Sequence, residues 1–146
     1  MHAIALACWV LWAGLLGQQP APSPKPAPPA PSYEFFRDKV EPIFLAQRPH
    51  RARCVACHSR AGNNSPFRLE PLSLGATTWT EEQSRKNFES VQEMVIPGMP
   101  DQSPLLFHAL AEQGGGDFYH SGGKQFDSKD NPEWQIMKAW VLGQTE

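Results

Sequence analysis

Two cysteines and a histidine within five residues, Cys54-Val-Ala-Cys57-His58, constrain this chain more than any other feature of its sequence. Cys-x-x-Cys pairs serve zinc sites, redox centres and disulfides. A zinc site needs four ligands, usually with a second Cys or His pair at similar spacing, and no such pair follows here. A thioredoxin-like pair belongs at a strand-to-helix turn, and strand patterns are missing. A disulfide is possible, but it would leave His58 unexplained.

Covalent haem attachment requires this order and spacing of residues. Two thiols add to the vinyl groups at one edge of a porphyrin, and the next residue places its imidazole on the iron. The motif therefore predicts one haem c, held by Cys54 and Cys57 and ligated by His58. We expect the second ring nitrogen of His58 to donate to a backbone carbonyl, that of Pro66 or Pro71.

The first 17 residues are predicted to direct the rest of the chain out of the cytoplasm, and a linker follows them. Residues 3–16 are uncharged and apolar, but they are fewer than the about 20 residues that span a bilayer comfortably. Residues 1–17 are therefore expected to be a signal peptide or a membrane anchor. Residues 18–32 hold seven of the fifteen prolines and predict an extended linker. The folded domain, residues 33–146, should then be periplasmic or otherwise extracytoplasmic, either secreted or tethered to the cytoplasmic membrane through residues 3–16.

Charge is distributed unevenly along the domain. The net charge of −2 argues against a general nucleic-acid binder. Five arginines and no acidic residue lie between positions 48 and 68: Arg48, Arg51, Arg53, Arg60 and Arg68. They could form a basic rim that orients an acidic redox partner, although charge alone favours a simple solvated face. Arg51, Arg60 and Arg68 are also candidates to pair with haem propionates.

The domain itself is predicted to be all-α, because apolar residues recur at helical spacing and no segment alternates as a strand would. Ser32 should cap a first helix that runs to Gln47, and Pro42 should bend or divide it. Four residues are expected to form its buried face: Phe36, Val40, Ile43 and Phe44.

Three further helices are predicted from their starts. Thr80 and Gln83 form a capping box, which opens a helix to about Met94. The pairs Ser103-Pro104 and Asn131-Pro132 each combine a capping residue with proline at the first helical position. Short helices joined by long glycine-rich loops bury little apolar surface on their own. A cofactor is therefore expected to fill the centre of the domain.

Taken together, residues 33–142 resemble the class I c-type cytochromes, and in particular the bacterial haem domains called planctomycete-type cytochrome c. The resemblance rests on the helix Phe36–Phe44, the Cys54–His58 motif, the segment Ile96–Leu106 and the closing helix with Trp140. It implies a cytochrome c-like bundle of four or five short helices around one covalent haem, with the first and last helices crossing.

The resemblance also implies a function. Such a domain would be an electron-transfer protein rather than an enzyme, with its haem iron cycling between Fe(III) and Fe(II). Its partners would be other redox proteins or a respiratory or photosynthetic complex. The alternative is a haem enzyme or gas sensor whose sixth iron position is open or labile.

The sixth ligand is where the sequence departs from that family. Such domains commonly carry a Met-Pro-Pro segment before the last helix, and here residues 116–124 contain His120 between glycines instead. We expect His120 to be the sixth ligand, with Met99 as the runner-up. Met94 and Met137 should fill the core, and His108 should be solvated. Two histidine ligands would give a lower reduction potential than a histidine and a methionine.

Overall fold

The computed structural model describes residues 27, 28 and 30–145. Within these residues the chain forms helices and two isolated β-bridges, and no strand. This confirms the prediction of a helical domain. The α-helices are α1 (Tyr33–Phe35), α2 (Glu41–Leu45), α3 (Cys54–His58), α4 (Glu81–Gln92), α5 (Pro104–Phe107) and α6 (Pro132–Val141). Two 3₁₀ turns cover Pro100–Gln102 and Glu112–Gly114.

The first helical segment is divided, as Pro42 predicts. Ser32 caps α1 by accepting a hydrogen bond from the Phe35 backbone at 3.2 Å. Between α1 and α2 the chain widens into a π-helical turn, Phe36–Val40, in which the Glu41 N–H donates to the Phe36 carbonyl. Proline has no N–H and cannot make the usual helical bond, so the change of winding falls just before it. The four residues predicted for the inner face are all buried: Phe36, Val40, Ile43 and Phe44.

The other helix starts also follow their caps. The Thr80 hydroxyl accepts from the Gln83 N–H while the Gln83 side chain returns to the Thr80 N–H, which completes the predicted capping box of α4. The Asn131 side chain accepts from two backbone N–H groups at the start of α6. The attachment motif itself forms the short helix α3, which periodicity did not predict because five residues are too few to show a period.

Aromatic packing joins the first and last helical segments. The rings of Phe36 and Trp140 lie 5.4 Å apart, and Phe36 also contacts Phe44 at 6.1 Å. The Trp140 indole N–H donates to the Ser32 carbonyl at 2.8 Å. The start of the domain is thus fixed against α6, as the resemblance implies.

The third helix, whose apolar spacing predicts Leu105, Leu106, Ala109 and Leu110 on one face, is shorter than expected. It ends at Phe107, and Leu110 instead lies beside Phe126, where the Ala111 N–H donates to the Phe126 carbonyl at 2.9 Å. A side chain at Gly116 would collide with the Leu110 carbonyl, so the close return of the chain requires glycine there. These contacts hold residues 116–126 along one side of the core.

The predicted signal peptide or anchor, residues 1–17, lies outside the described residues, as does most of the linker, 18–32. Among the residues that the structure does describe, no helix has the length and apolar character to cross a membrane.

Candidate functional site

A large cavity opens between α2, α3, α5 and the loop that contains His120. It encloses about 830 Å³ of space, counted with the open solvent at its mouth. Nine of its wall residues are apolar: Ile43, Phe44, Phe67, Met94, Pro104, Leu105, Ala109, Phe126 and Met137. The main polar side chains are Cys54, Cys57, His58, Asn63, Ser65, His108, His120 and Gln125.

His58 is held firmly at the end of α3. Its Nδ1 lies 2.9 Å from the Phe67 carbonyl oxygen, and its ring packs on the Phe67 ring with centres 4.3 Å apart. A carbonyl only accepts hydrogen bonds, so Nδ1 carries the proton and Nε2 keeps its lone pair. Burial lowers the pKa of His58, which favours the neutral form that a metal ligand needs. The expected acceptor was the carbonyl of Pro66 or Pro71. In the structure it is the carbonyl of Phe67, the residue after Pro66.

The two cysteines lie in the cavity wall as free thiols, with no disulfide between them. Burial raises the pKa of the Cys54 thiol to about 11, so this thiol stays protonated and a poor nucleophile at neutral pH. Within the described part of the chain, no three or more His, Cys, Asp or Glu side chains are grouped as a metal site. The arrangement gives no support to a zinc site or a redox dithiol.

His120 lines the same cavity from a tight glycine turn. Its Nδ1 lies 2.8 Å from the Gly123 carbonyl, and the Gly123 N–H donates back to the His120 carbonyl at 2.9 Å. Gly123 has a φ of 78°, which side-chain-bearing residues rarely adopt. A Cβ at Gly122 would lie 3.4 Å from the His120 ring and 3.7 Å from the Cys57 sulfur. The turn therefore brings His120 close to the attachment helix.

The two imidazoles have the separation that a shared metal ion requires. Their ring centres lie 6.3 Å apart and their planes differ by 21°. Two metal–nitrogen bonds of about 2 Å, extended to the ring centres, would separate the rings by about 6 Å. In both residues Nδ1 is engaged with a backbone carbonyl, which leaves Nε2 as the ligating nitrogen. A flat apolar cofactor with a metal at its centre fits this donor set and this cavity.

The methionines fall into two groups. Met99, the predicted runner-up, is 43% exposed and does not line the cavity. Met94 and Met137 are buried, in keeping with their expected place in the core, but they also form part of the cavity wall. Met94 and Met137, and not Met99, are therefore the methionines whose sulfur lies close to any group that binds in the cavity. Their apolar helical surroundings gave no sequence signal of that position.

The prediction for His108 is confirmed, but it is incomplete. Its side chain is 49% exposed, as expected for a solvated residue, but it also lines the cavity. Its Nδ1 lies 2.6 Å from an Asp117 carboxylate oxygen, and this contact lowers the pKa of Asp117. The shortened α5 turns His108 toward the loop of residues 116–126. Nothing in the local pattern predicted that pair.

The basic segment is divided between structural and free arginines. Arg48 pairs with Glu133 of α6, and Arg51 lies 2.5 Å from Asp127 and donates to the Gln125 carbonyl at 2.7 Å. These two guanidinium groups brace the loop that follows His120, which leaves Arg51 a poor candidate for a propionate partner. Two of the remaining arginines, Arg60 and Arg68, are exposed near the attachment helix.

Comparison with known proteins adds no relative to this picture. No protein-family model, curated protein or solved structure matches the chain significantly.

Proposed function

We propose that this protein is an extracytoplasmic electron carrier with one covalently attached haem c in a cytochrome c-like bundle of helices. Cys54 and Cys57 would carry the thioether bonds, His58 would be the proximal ligand and His120 the distal ligand. Haem supplies a one-electron Fe(III)/Fe(II) couple when bound. The polypeptide excludes water, fixes both imidazoles and sets the potential.

The single observation that carries this proposal is the pairing of His58 and His120 across one cavity. Two imidazoles with ring centres 6.3 Å apart, each oriented by a backbone carbonyl, form a preorganised ligand pair, and the attachment cysteines lie in the same wall. Filling both axial positions from the protein favours electron transfer over substrate binding at the iron. Export fits as well, since residues 1–17 read as a signal peptide or anchor. Redox proteins or a larger respiratory or photosynthetic complex would be the partners.

A second function has one observation in its favour. His108, whose Nδ1 lies 2.6 Å from an Asp117 carboxylate oxygen, lines the cavity, and His120 stands on a turn rather than on a helix. If His120 were displaced, an imidazole backed by a carboxylate would remain in the wall of the same cavity, as an acid–base catalyst requires. The alternative is therefore a haem enzyme or gas sensor with a labile sixth ligand.

The test begins with expression in a host that matures c-type cytochromes. Denatured, acid-acetone-extracted wild-type protein should keep its haem colour on the polypeptide, whereas Cys54→Ala/Cys57→Ala protein should lose it. A colourless wild-type polypeptide would reject the proposal as a whole.

The ligand set is tested next on the purified wild-type domain. The ferric protein should show no near-infrared charge-transfer band of a methionine-ligated haem, and carbon monoxide should alter the ferrous spectrum slowly. If that band is present, the sixth ligand would be assigned to Met94 or Met137 in place of His120. Prompt carbon monoxide binding would favour the enzyme or sensor.

A further inference from the structure

Gln125 is a buried amide at the edge of the cavity. Only 3% of its surface is exposed, yet its side chain has no role in the proposed ligand set. The Arg48 guanidinium approaches its Oε1 at 3.3 Å. Arginine can only donate hydrogen bonds, so this contact fixes which end of the amide is oxygen and turns the NH₂ group toward the opposite side.

That NH₂ group faces three backbone carbonyls. Nε2 lies 3.1 Å from the Gly123 oxygen, 3.4 Å from the Gly122 oxygen and 3.2 Å from the Ala52 oxygen. The Gly123 oxygen is the same atom that accepts the hydrogen bond from His120 Nδ1. Ala52 lies two residues before Cys54. One side chain therefore connects the chain entering the attachment helix with the turn that presents His120.

We propose that Gln125 is the positioning residue that keeps His120 on the haem iron, an inference that rests on the proposed function. Residues 120–123 form a glycine turn that is free to flex without a tertiary contact. By donating to the Gly122 and Gly123 carbonyls, Gln125 fixes the acceptor that orients the imidazole. Hydrogen-bond partners of metal ligands typically change metal affinity by about 10–100-fold when they are removed.

Two substitutions separate this role from the contact with Arg48. Gln125→Glu keeps an acceptor for Arg48 but has no N–H to donate to the turn, and Gln125→Met has neither group. If Gln125 acts through the turn, both variants should bind carbon monoxide in the ferrous state about tenfold faster than the wild type. If it acts only by bracing Arg48, the Glu variant should behave as the wild type, and our inference would be wrong.

A spectroscopic readout and a stability control complete the test. The electron paramagnetic resonance spectrum of low-spin ferric haem depends on the angle between the planes of its two imidazole ligands. Both variants should therefore show broadened signals, because that angle becomes less well defined. Thr80→Ala removes the cap of α4 and lowers stability without touching the turn. An equal acceleration or broadening in Thr80→Ala would also overturn the inference. The Glu variant keeps the Arg48 contact and serves if the Met variant does not fold.

Failure of the proposed function would be seen before any Gln125 variant is made. Wild-type protein without covalent haem, or with carbon monoxide binding as fast as in His120→Ala, would remove His120 from the iron. A slow wild type with unchanged Gln125 variants would reject only the role of Gln125.

Discussion

His58 and His120 lie on two sides of the cavity and are oriented by the same kind of hydrogen bond, but different parts of the fold support them. His58 and His120 each give Nδ1 to a backbone carbonyl, at 2.9 and 2.8 Å. On the first side, referred to as the proximal side, the proposed ligand His58 ends a helix and its acceptor is Phe67, nine residues away. On the second, the distal side, the proposed ligand His120 and its acceptor Gly123 share one turn.

The supports behind these acceptors differ as well. The chain after Phe67 is tied to α4, because the Arg68 N–H donates to the Ser90 hydroxyl at 2.8 Å and the Glu70 N–H donates to the Asn87 amide oxygen at 2.7 Å. The distal turn is held by the Gln125 side chain, and Arg48 and Arg51 brace only the chain that follows it. A proposed ligand that ends a helix backed by α4 should be harder to displace than one on a short turn held through a side chain.

Replacing each ligand in turn gives the largest expected effect. In His58→Ala most of the polypeptide should lack low-spin haem, because the variant removes the proposed ligand next to Cys54 and Cys57. His120→Ala should keep covalent haem but open the sixth position, and carbon monoxide should then bind promptly. The measurements are haem staining of denatured protein and the ferrous carbon monoxide difference spectrum. Equal loss of haem in both variants would end the distinction between the two sides.

A side chain at Gly122 should weaken the distal side alone. A Cβ there would already lie 3.4 Å from the His120 ring, so the branched side chain of Gly122→Val should push the imidazole away from its position. We expect about tenfold faster carbon monoxide binding, similar to the loss of an outer-shell hydrogen bond.

Gly62→Ala is the matched control for that variant. Its Cβ would meet no atom within 4 Å, but its φ of 85° disfavours alanine. It should therefore lower the melting temperature of the protein without changing ligand binding. If carbon monoxide binds to Gly122→Val no faster than to the wild type, the distal turn is more adaptable than its geometry indicates.

The same contrast explains what the sequence could predict. Cys54, Cys57 and His58 are adjacent in the chain, so their convergence follows from spacing alone. The caps at Ser32, Thr80 and Asn131 are likewise local, and the helices begin where the caps place them.

The distal side could be predicted only in part. His120 was predicted from its glycine neighbours and by resemblance, but its support comes from Gln125 and from two arginines, Arg48 and Arg51, that lie about 75 residues before Gln125 in sequence. The pair of His108 with Asp117 likewise depends on how far α5 extends. Periodicity sets where a helix can form, whereas tertiary contacts decide where it stops.

The proximal support contains a buried carboxyl group, and this allows a smaller test by pH. Glu41 is 6% exposed and accepts hydrogen bonds from Ser84 and from Asn87, the residue that ties Glu70. Burial raises the pKa of Glu41. Its stabilising contribution is therefore complete below the ordinary glutamate pKa and declines as the pH rises through the raised value.

Glu41→Gln should remove that decline. We expect the free energy of unfolding of the variant to exceed that of the wild type by an amount that grows over a pH range beginning near the ordinary glutamate pKa of about 4, measured by urea denaturation. Glu82→Gln is the opposite control, because Lys86 lowers the pKa of the exposed Glu82 and the charged form is the favoured one. A constant difference between Glu41→Gln and the wild type would mean that the wild-type carboxyl does not titrate across this range.

The smallest effect is expected from Met99→Leu, and it tests the distal assignment from the other direction. Met99 lies in a turn next to Pro100, outside the cavity, with 43% of its surface exposed. If His120 is the sixth ligand, the variant should keep the wild-type reduction potential and near-infrared spectrum. Met94→Leu and Met137→Leu replace buried cavity residues and should shift the potential modestly through packing around the haem. A larger shift of the reduction potential in Met99→Leu than in these two variants would require residues 96–103 to rearrange on haem binding and bring the Met99 sulfur to the iron. Met99 would then be the sixth ligand, and His120 would not bind the iron.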